Sequence, residues 1–99
     1  MKVWAKVLTE HRIMNETVRE FSSARPSDLE GWSVLLHALC QDLDLARPVL
    51  LNKHISDLAR FSRVVFKRAD FIEAVDFDAF EIEILPEKKK RSADPYPFA

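Results

Sequence analysis

His37 and Cys40 stand three residues apart, a spacing that puts both on one face of a helix. An imidazole and a thiolate so placed could hold one edge of a metal ion, or act as base and nucleophile. Structural zinc takes four ligands, and Cys40 is the only cysteine. A reactive thiolate also favours a helix N-terminus, whereas Cys40 falls near the end of its helix, where the dipole raises its pKa. The pair therefore reads as a core thiol beside a partly exposed histidine. His54 precedes Asp57 by three residues and could share proton transfer with it. No nucleophile or substrate signature accompanies them, and His54 reads as a surface or capping residue.

Two charged groups follow. Arg60, Arg63, Lys67 and Arg68 interleave with Phe61 and Phe66, a mixture that can bind single-stranded nucleic acid by phosphate contact and stacking. Both phenylalanines, however, fall at positions expected in the core. Asp70, Glu73, Asp76, Asp78, Glu81 and Glu83 form an acidic stretch of the kind hard cations use. The stretch has no loop glycine for a calcium site and reads as a solvated strand face. Its carboxylates can also meet the basic set, within one molecule or between molecules.

Other chemistry is excluded by composition. Gly31 is the only glycine in 99 residues, so no glycine-rich phosphate loop exists. No catalytic set, metal set or cofactor site is expected. Four of the 15 basic residues lie in Lys88-Lys89-Lys90-Arg91, leaving residues 1–86 with a net charge of −3. An acidic body with a pI near 6.3 is not the basic footprint of a nucleic-acid-binding domain. One cysteine allows no internal disulfide, which points to a reducing, cytoplasmic setting. No apolar run approaches the roughly 20 residues that span a bilayer, and the first residues hold no long apolar segment of a secretory signal.

The elements that must position these residues follow from periodicity. Strands are predicted at 2–8 and 13–21, joined by a polar break at 9–12. In the first, Val3, Ala5 and Val7 share one face, and Trp4, Lys6 and Leu8 the other. Met14, Val18 and Phe21 also fit a helix, which keeps that alternative open. Ser27-Asp28-Leu29-Glu30 has the pattern of a capping box with Ser27 as the cap. Leu29, Trp32, Leu36, Leu39 or Cys40, and Leu43 then set a helix at 28–43. Residues 48–51 read as a short buried strand. Residues 52–61 read as a second helix with Ile55, Leu58 and Ala59 inward. Strands are predicted at 63–67 and 76–85, with Phe71, Ile72 and Val75 adding buried surface between them. In the last strand Phe80, Ile82 and Ile84 oppose Ala79, Glu81 and Glu83.

The whole is an α+β domain over residues 1–86: a small antiparallel sheet with one main and one short helix on a single face. Residues 87–99, charged and proline-containing, read as a disordered tail.

The run 47–54 (Arg47-Pro48-Val49-Leu50-Leu51-Asn52-Lys53-His54), then Phe66, Asp70-Phe71-Ile72-Glu73 and the segment 76–83, resembles a pattern in small uncharacterised bacterial proteins. The resemblance covers the C-terminal half and implies a bacterial cytosolic protein without implying an activity. The function expected is that of a non-enzymatic interaction or assembly domain. The alternatives are single-stranded nucleic-acid binding through the basic-aromatic segment, with Lys88–Arg91 adding phosphate affinity, and a small enzyme with a site between subunits that uses His54 or a carboxylate. A bare sheet face carrying Trp4, Leu8, Ala79 and Leu85 inside a charged rim predicts self-association as a dimer.

Overall fold

The computed structural model describes residues 1–22 and 24–86. The tail expected at 87–99 lies outside the described residues. Four strands form one antiparallel sheet: β1 (Lys2–Thr9), β2 (Arg12–Glu20), β3 (Arg63–Lys67) and β4 (Ala79–Leu85), in spatial order β2-β1-β4-β3. The first and last strands meet at the centre, with Val3 opposite Ile84, Ala5 opposite Ile82 and Val7 opposite Phe80. Helices α1 (Leu29–Leu43) and α2 (Asn52–Phe61) belong to the stretch between β2 and β3. The architecture is the expected α+β one.

Alternation decides which face is covered. Val3, Ala5 and Val7 of β1 are buried, as are Val64 and Phe66 of β3 and Phe80, Ile82 and Ile84 of β4. They form one core with Trp32, Leu35, Leu36, Leu39, Cys40 and Leu43 of α1 and with Leu58 of α2. Burying a large aliphatic or phenylalanine side chain contributes about 1.5–3 kcal/mol. Phe71 and Phe77 seal one end of this core edge to face, their ring centroids 5.3 Å apart. The opposite sheet face, with Trp4, Lys6, Glu81 and Glu83, carries no helix among the described residues.

Several expectations shift by a residue or fail. Asp28, not Ser27, caps α1: its extended backbone lets the carboxylate accept from Gly31 N–H at 2.9 Å. A Cβ on Gly31 would lie 2.8 Å from that carboxylate and 2.8 Å from Pro26 Cβ, so this glycine is needed for close approach. Leu29 is then left partly exposed. The short strand at 48–51 is reduced to a single bridge between Pro48 and Phe71, because proline supplies no ladder donor. Ala59 is exposed, and Ile72 is 87% exposed, since its neighbour Phe71 turns into the core instead. Phe61, expected in the core, is 64% exposed at the end of α2, whereas Phe66 is fully buried.

With its one glycine inside α1, the chain reverses direction on other residues. Glu10 and His11 both take positive φ, 52° and 67°, which fits the two-residue turn favoured between twisted strands. Asp44 ends α1 in the left-handed region at φ 56°, and Leu45 N–H bonds back to the Cys40 carbonyl. Ser62 ends α2 in the same way at φ 55°.

Placing the cap at Asp28 yields a direct test by urea denaturation. Asp28→Ala should cost about 1 kcal/mol, and Ser27→Ala should fall well below that. The reverse order would return the helix start to Ser27.

Candidate functional site

Three places in the fold bring chemically capable side chains together. The first is the centre of the bare sheet face. On β1, Lys6 lies opposite Glu81 of β4 and Glu16 of β2. Its ammonium is 3.2 Å from Glu83 Oε1 and 3.5 Å from Glu81 Oε2, and sits 3.8 Å above the Trp4 ring centroid. Arg63 of β3 reaches the same Glu81 oxygen at 2.9 Å, and Trp4 Nε1 donates to Glu16 Oε1 at 2.7 Å. Lys6 is only 8% exposed, because Trp4 and the two glutamates cover it. The four residues expected at a dimer interface, Trp4, Leu8, Ala79 and Leu85, are all half-buried on this face. The apolar side chains flank a charged centre, the reverse of an apolar patch with a charged rim.

The second place is His54. It is buried rather than on the surface, and it does cap: Nδ1 accepts from Leu51 N–H at 2.9 Å, the reach-back that Glu or Gln makes in a capping box. The ring leans on Phe66 with centroids 4.6 Å apart. Because Nδ1 is an acceptor, the proton of the neutral ring sits on Nε2. Nε2 finds no hydrogen-bond partner among the described residues, and the nearest carboxylate oxygen, Asp70 Oδ1, is 3.9 Å away. Asp70 is already engaged, its other oxygen accepting from Lys67 N–H at 2.8 Å. Burial pushes the His54 pKa below its ordinary 6.5, with Lys53 adding to the effect while Asp70 and Asp57 oppose it.

The third is the basic set, which the fold divides. Arg63 is held by Glu81, and Arg68 by Asp78 at 3.2 Å and by the Phe77 carbonyl at 2.9 Å. Basic and acidic stretches thus do meet within the molecule, through these two pairs. Arg60 lies over the exposed Phe61 ring, 5.5 Å from its centroid, and Lys67 is exposed at the end of β3. The acidic residues disperse over η1 (Arg68–Asp70), the loop after it and the bare face. Among the described residues no group of three or more His, Cys, Asp or Glu comes together to hold a metal ion. Cys40 is buried and His37 exposed, so the helix separates that pair. Burial raises the Cys40 pKa to about 11 against a small opposing pull from Arg47, which leaves it a thiol at neutral pH.

Reasoning from sequence missed Lys6. The signal was present, since a lysine centred in an apolar strand needs partners, and Glu81 and Glu83 alternate on the last strand.

The class these features define is a two-layer α+β domain with one face closed by its own side chains. No family model, curated protein or solved structure matches the chain. No helix is long and apolar enough to cross a membrane among the described residues.

His54 generates a pH prediction. The unfolded chain takes up a proton near pH 6.5, whereas buried His54 resists until lower pH. The stability it contributes is complete above that value and declines as pH falls below it. Denaturation midpoints taken between about pH 7.5 and pH 5 should therefore fall toward acid. His54→Asn, which keeps an acceptor near the Nδ1 position, should be less stable throughout but should lose this His-dependent part of the slope.

Proposed function

We propose that the chain is a non-enzymatic assembly domain that pairs with a second copy of itself through β2. The observation that carries this reading is the character of that strand. Met1 and Phe21 exchange both backbone hydrogen bonds, at 2.9 and 2.7 Å. By antiparallel alternation, Arg19, Thr17 and Asn15 bond inward to β1, and Glu16, Val18 and Glu20 turn their N–H and C=O groups outward. The strand is nine residues long and exposed almost throughout. Edges of this kind normally carry charge or are covered. Here the edge does carry Arg12, Glu16, Arg19 and Glu20, yet Ile13, Met14 and Val18 between them are 45%, 63% and 53% exposed, beside half-buried Trp4 and Leu8.

Antiparallel pairing of two β2 strands would continue the sheet across a two-fold axis and cover these side chains. Stacking two bare faces would instead desolvate the Lys6–Glu81–Glu83 group, a cost of several kcal/mol per ion. The edge is therefore the favoured interface, with Trp4 and Leu8 at its border and Ala79 and Leu85 outside it. The single buried thiol and the resemblance to small bacterial proteins support a cytoplasmic, bacterial setting.

Sedimentation of the full chain at micromolar concentration tests the reading. The wild type should be a dimer. Val18→Lys changes an exposed side chain and places a charge on the edge, so it should give a folded monomer. A wild type that stays at 11.5 kDa, or a Val18→Lys variant that remains dimeric, contradicts pairing through β2.

A further inference from the structure

The opposite edge of the sheet has a different chemistry. β3 begins where Ile84 N–H bonds the Ser62 carbonyl across the ladder at 2.8 Å. Alternation then directs Val64 and Phe66 toward β4, and turns the N–H and C=O groups of Arg63 and Val65 outward. At the far end Asp70 holds Lys67 N–H, so the open stretch is short. Beside it runs a groove of about 480 Å³ between the strand and α2, lined by Asp57, Phe61, Arg63, Val64, Val65 and Lys67.

We infer that this groove takes an extended acidic peptide, which adds as a strand to the outer edge of β3. The charge is complementary. Lys67 and the neighbouring Arg60 stand against Asp57, while Arg63 already shares its guanidinium with Glu81 at 2.9 Å. Lys67 faces Ala79 on β4, which gives it no carboxylate from that side. On its inner side β3 already pairs with a strand of the required kind. β4 alternates glutamate with apolar residues and sets Glu83 opposite Arg63 and Glu81 opposite Val65. An incoming strand with the same alternation would place carboxylates near Arg63 and Lys67. Phe61 gives the groove an exposed ring for an apolar side chain of the peptide, with the Arg60 guanidinium over it.

Two other occupants fit less well. A second β3, paired antiparallel about Val65, would set Arg63 against Lys67 of the other copy, and like charges directly opposite are destabilising. A nucleic-acid strand offers phosphate acceptors for the outward N–H groups but no backbone donors for the outward carbonyls, and Phe61 is one ring where stacking readers use several. The inference does not depend on pairing through β2, which lies at the other end of the sheet and leaves this groove open in monomer and dimer alike.

The test uses the full chain, ¹⁵N-labelled, and a fluorescent peptide of alternating glutamate and valine. Anisotropy should show saturable binding that weakens with salt, and the amides of Arg63 and Val65 should shift. Lys67→Glu should weaken binding roughly tenfold. Val65→Pro should abolish it while sparing the ladder to β4, because only an outward donor is lost. If Val65→Pro fails to fold, Lys67→Glu and the amide shifts of the unmodified chain still decide. Absence of saturable binding at millimolar peptide in low salt overturns the inference, as do shifts confined to β2. Tighter binding of an oligothymidine than of the peptide overturns it in favour of nucleic acid.

Discussion

A sheet with helices on only one side has to close its other face with its own side chains, and Lys6 is the residue through which this chain does so. β1 is a central strand, hydrogen-bonded on both sides, and its odd-numbered residues fill the core beneath the helices. The even-numbered ones face a side that no element covers among the described residues. A lysine there meets two glutamates of β4 on one flank and the face of Trp4 within its own strand. Arg63 completes the group by taking the outer side of Glu81, so one carboxylate ties β1 to β3 across β4. Breaking such a group by removing one partner costs more than forming it gains, because a mostly buried charge is left behind. The face is thereby closed and polar, which is why the proposed contacts fall at the edges of the sheet.

The two edges then differ by composition. β2 offers Ile13, Met14 and Val18, while β3 offers Arg63 and Lys67 around Val65. Asn15 Oδ1 accepts from Glu16 N–H at 2.9 Å, and the register slips between Val7 and Leu8, so the proposed pairing along β2 would be confined to its second half. At the hairpin end, Asp78 holds Glu10 N–H at 2.8 Å and Arg68 at 3.2 Å, which ties the turn to the loop before β4. Arg19 does the same for the helical layer, with both Asp42 oxygens at 3.0 Å.

Most of the architecture was legible because it rests on periodicity. The alternation of Val3, Ala5 and Val7 and of Phe80, Ile82 and Ile84 identified the covered face of both central strands. The spacing from Trp32 to Leu43 identified α1. What was not legible depended on geometry that spacing does not encode. Asp28 and Ser27 are both good caps, and only the entry angle after Pro26 selects Asp28. Ile72 and Phe71 are adjacent apolar residues, and a loop can bury only one. Phe61 and Phe66 look alike in sequence, but a helix end lies between them and sends the first to solvent. His54 reads in sequence as a surface or capping residue at the start of α2, and its burial comes from Phe66, twelve residues on. The dispersal of the acidic stretch follows from the 71–78 loop, which separates Asp70 beside His54 from Glu81 and Glu83, set against Lys6 by the β1–β4 register.

Amide hydrogen exchange followed against protein concentration tests most directly whether the molecule meets its own copy at an edge and not at a face. The outward amides of Val18 and Glu20 should slow as concentration rises, while the Trp4 indole N–H, hydrogen-bonded to Glu16, and the fluorescence of Trp4 stay unchanged. Fast exchange at Val18 and Glu20 at every concentration, together with a concentration-dependent change at Trp4, would place the contact on the sheet face and contradict the account.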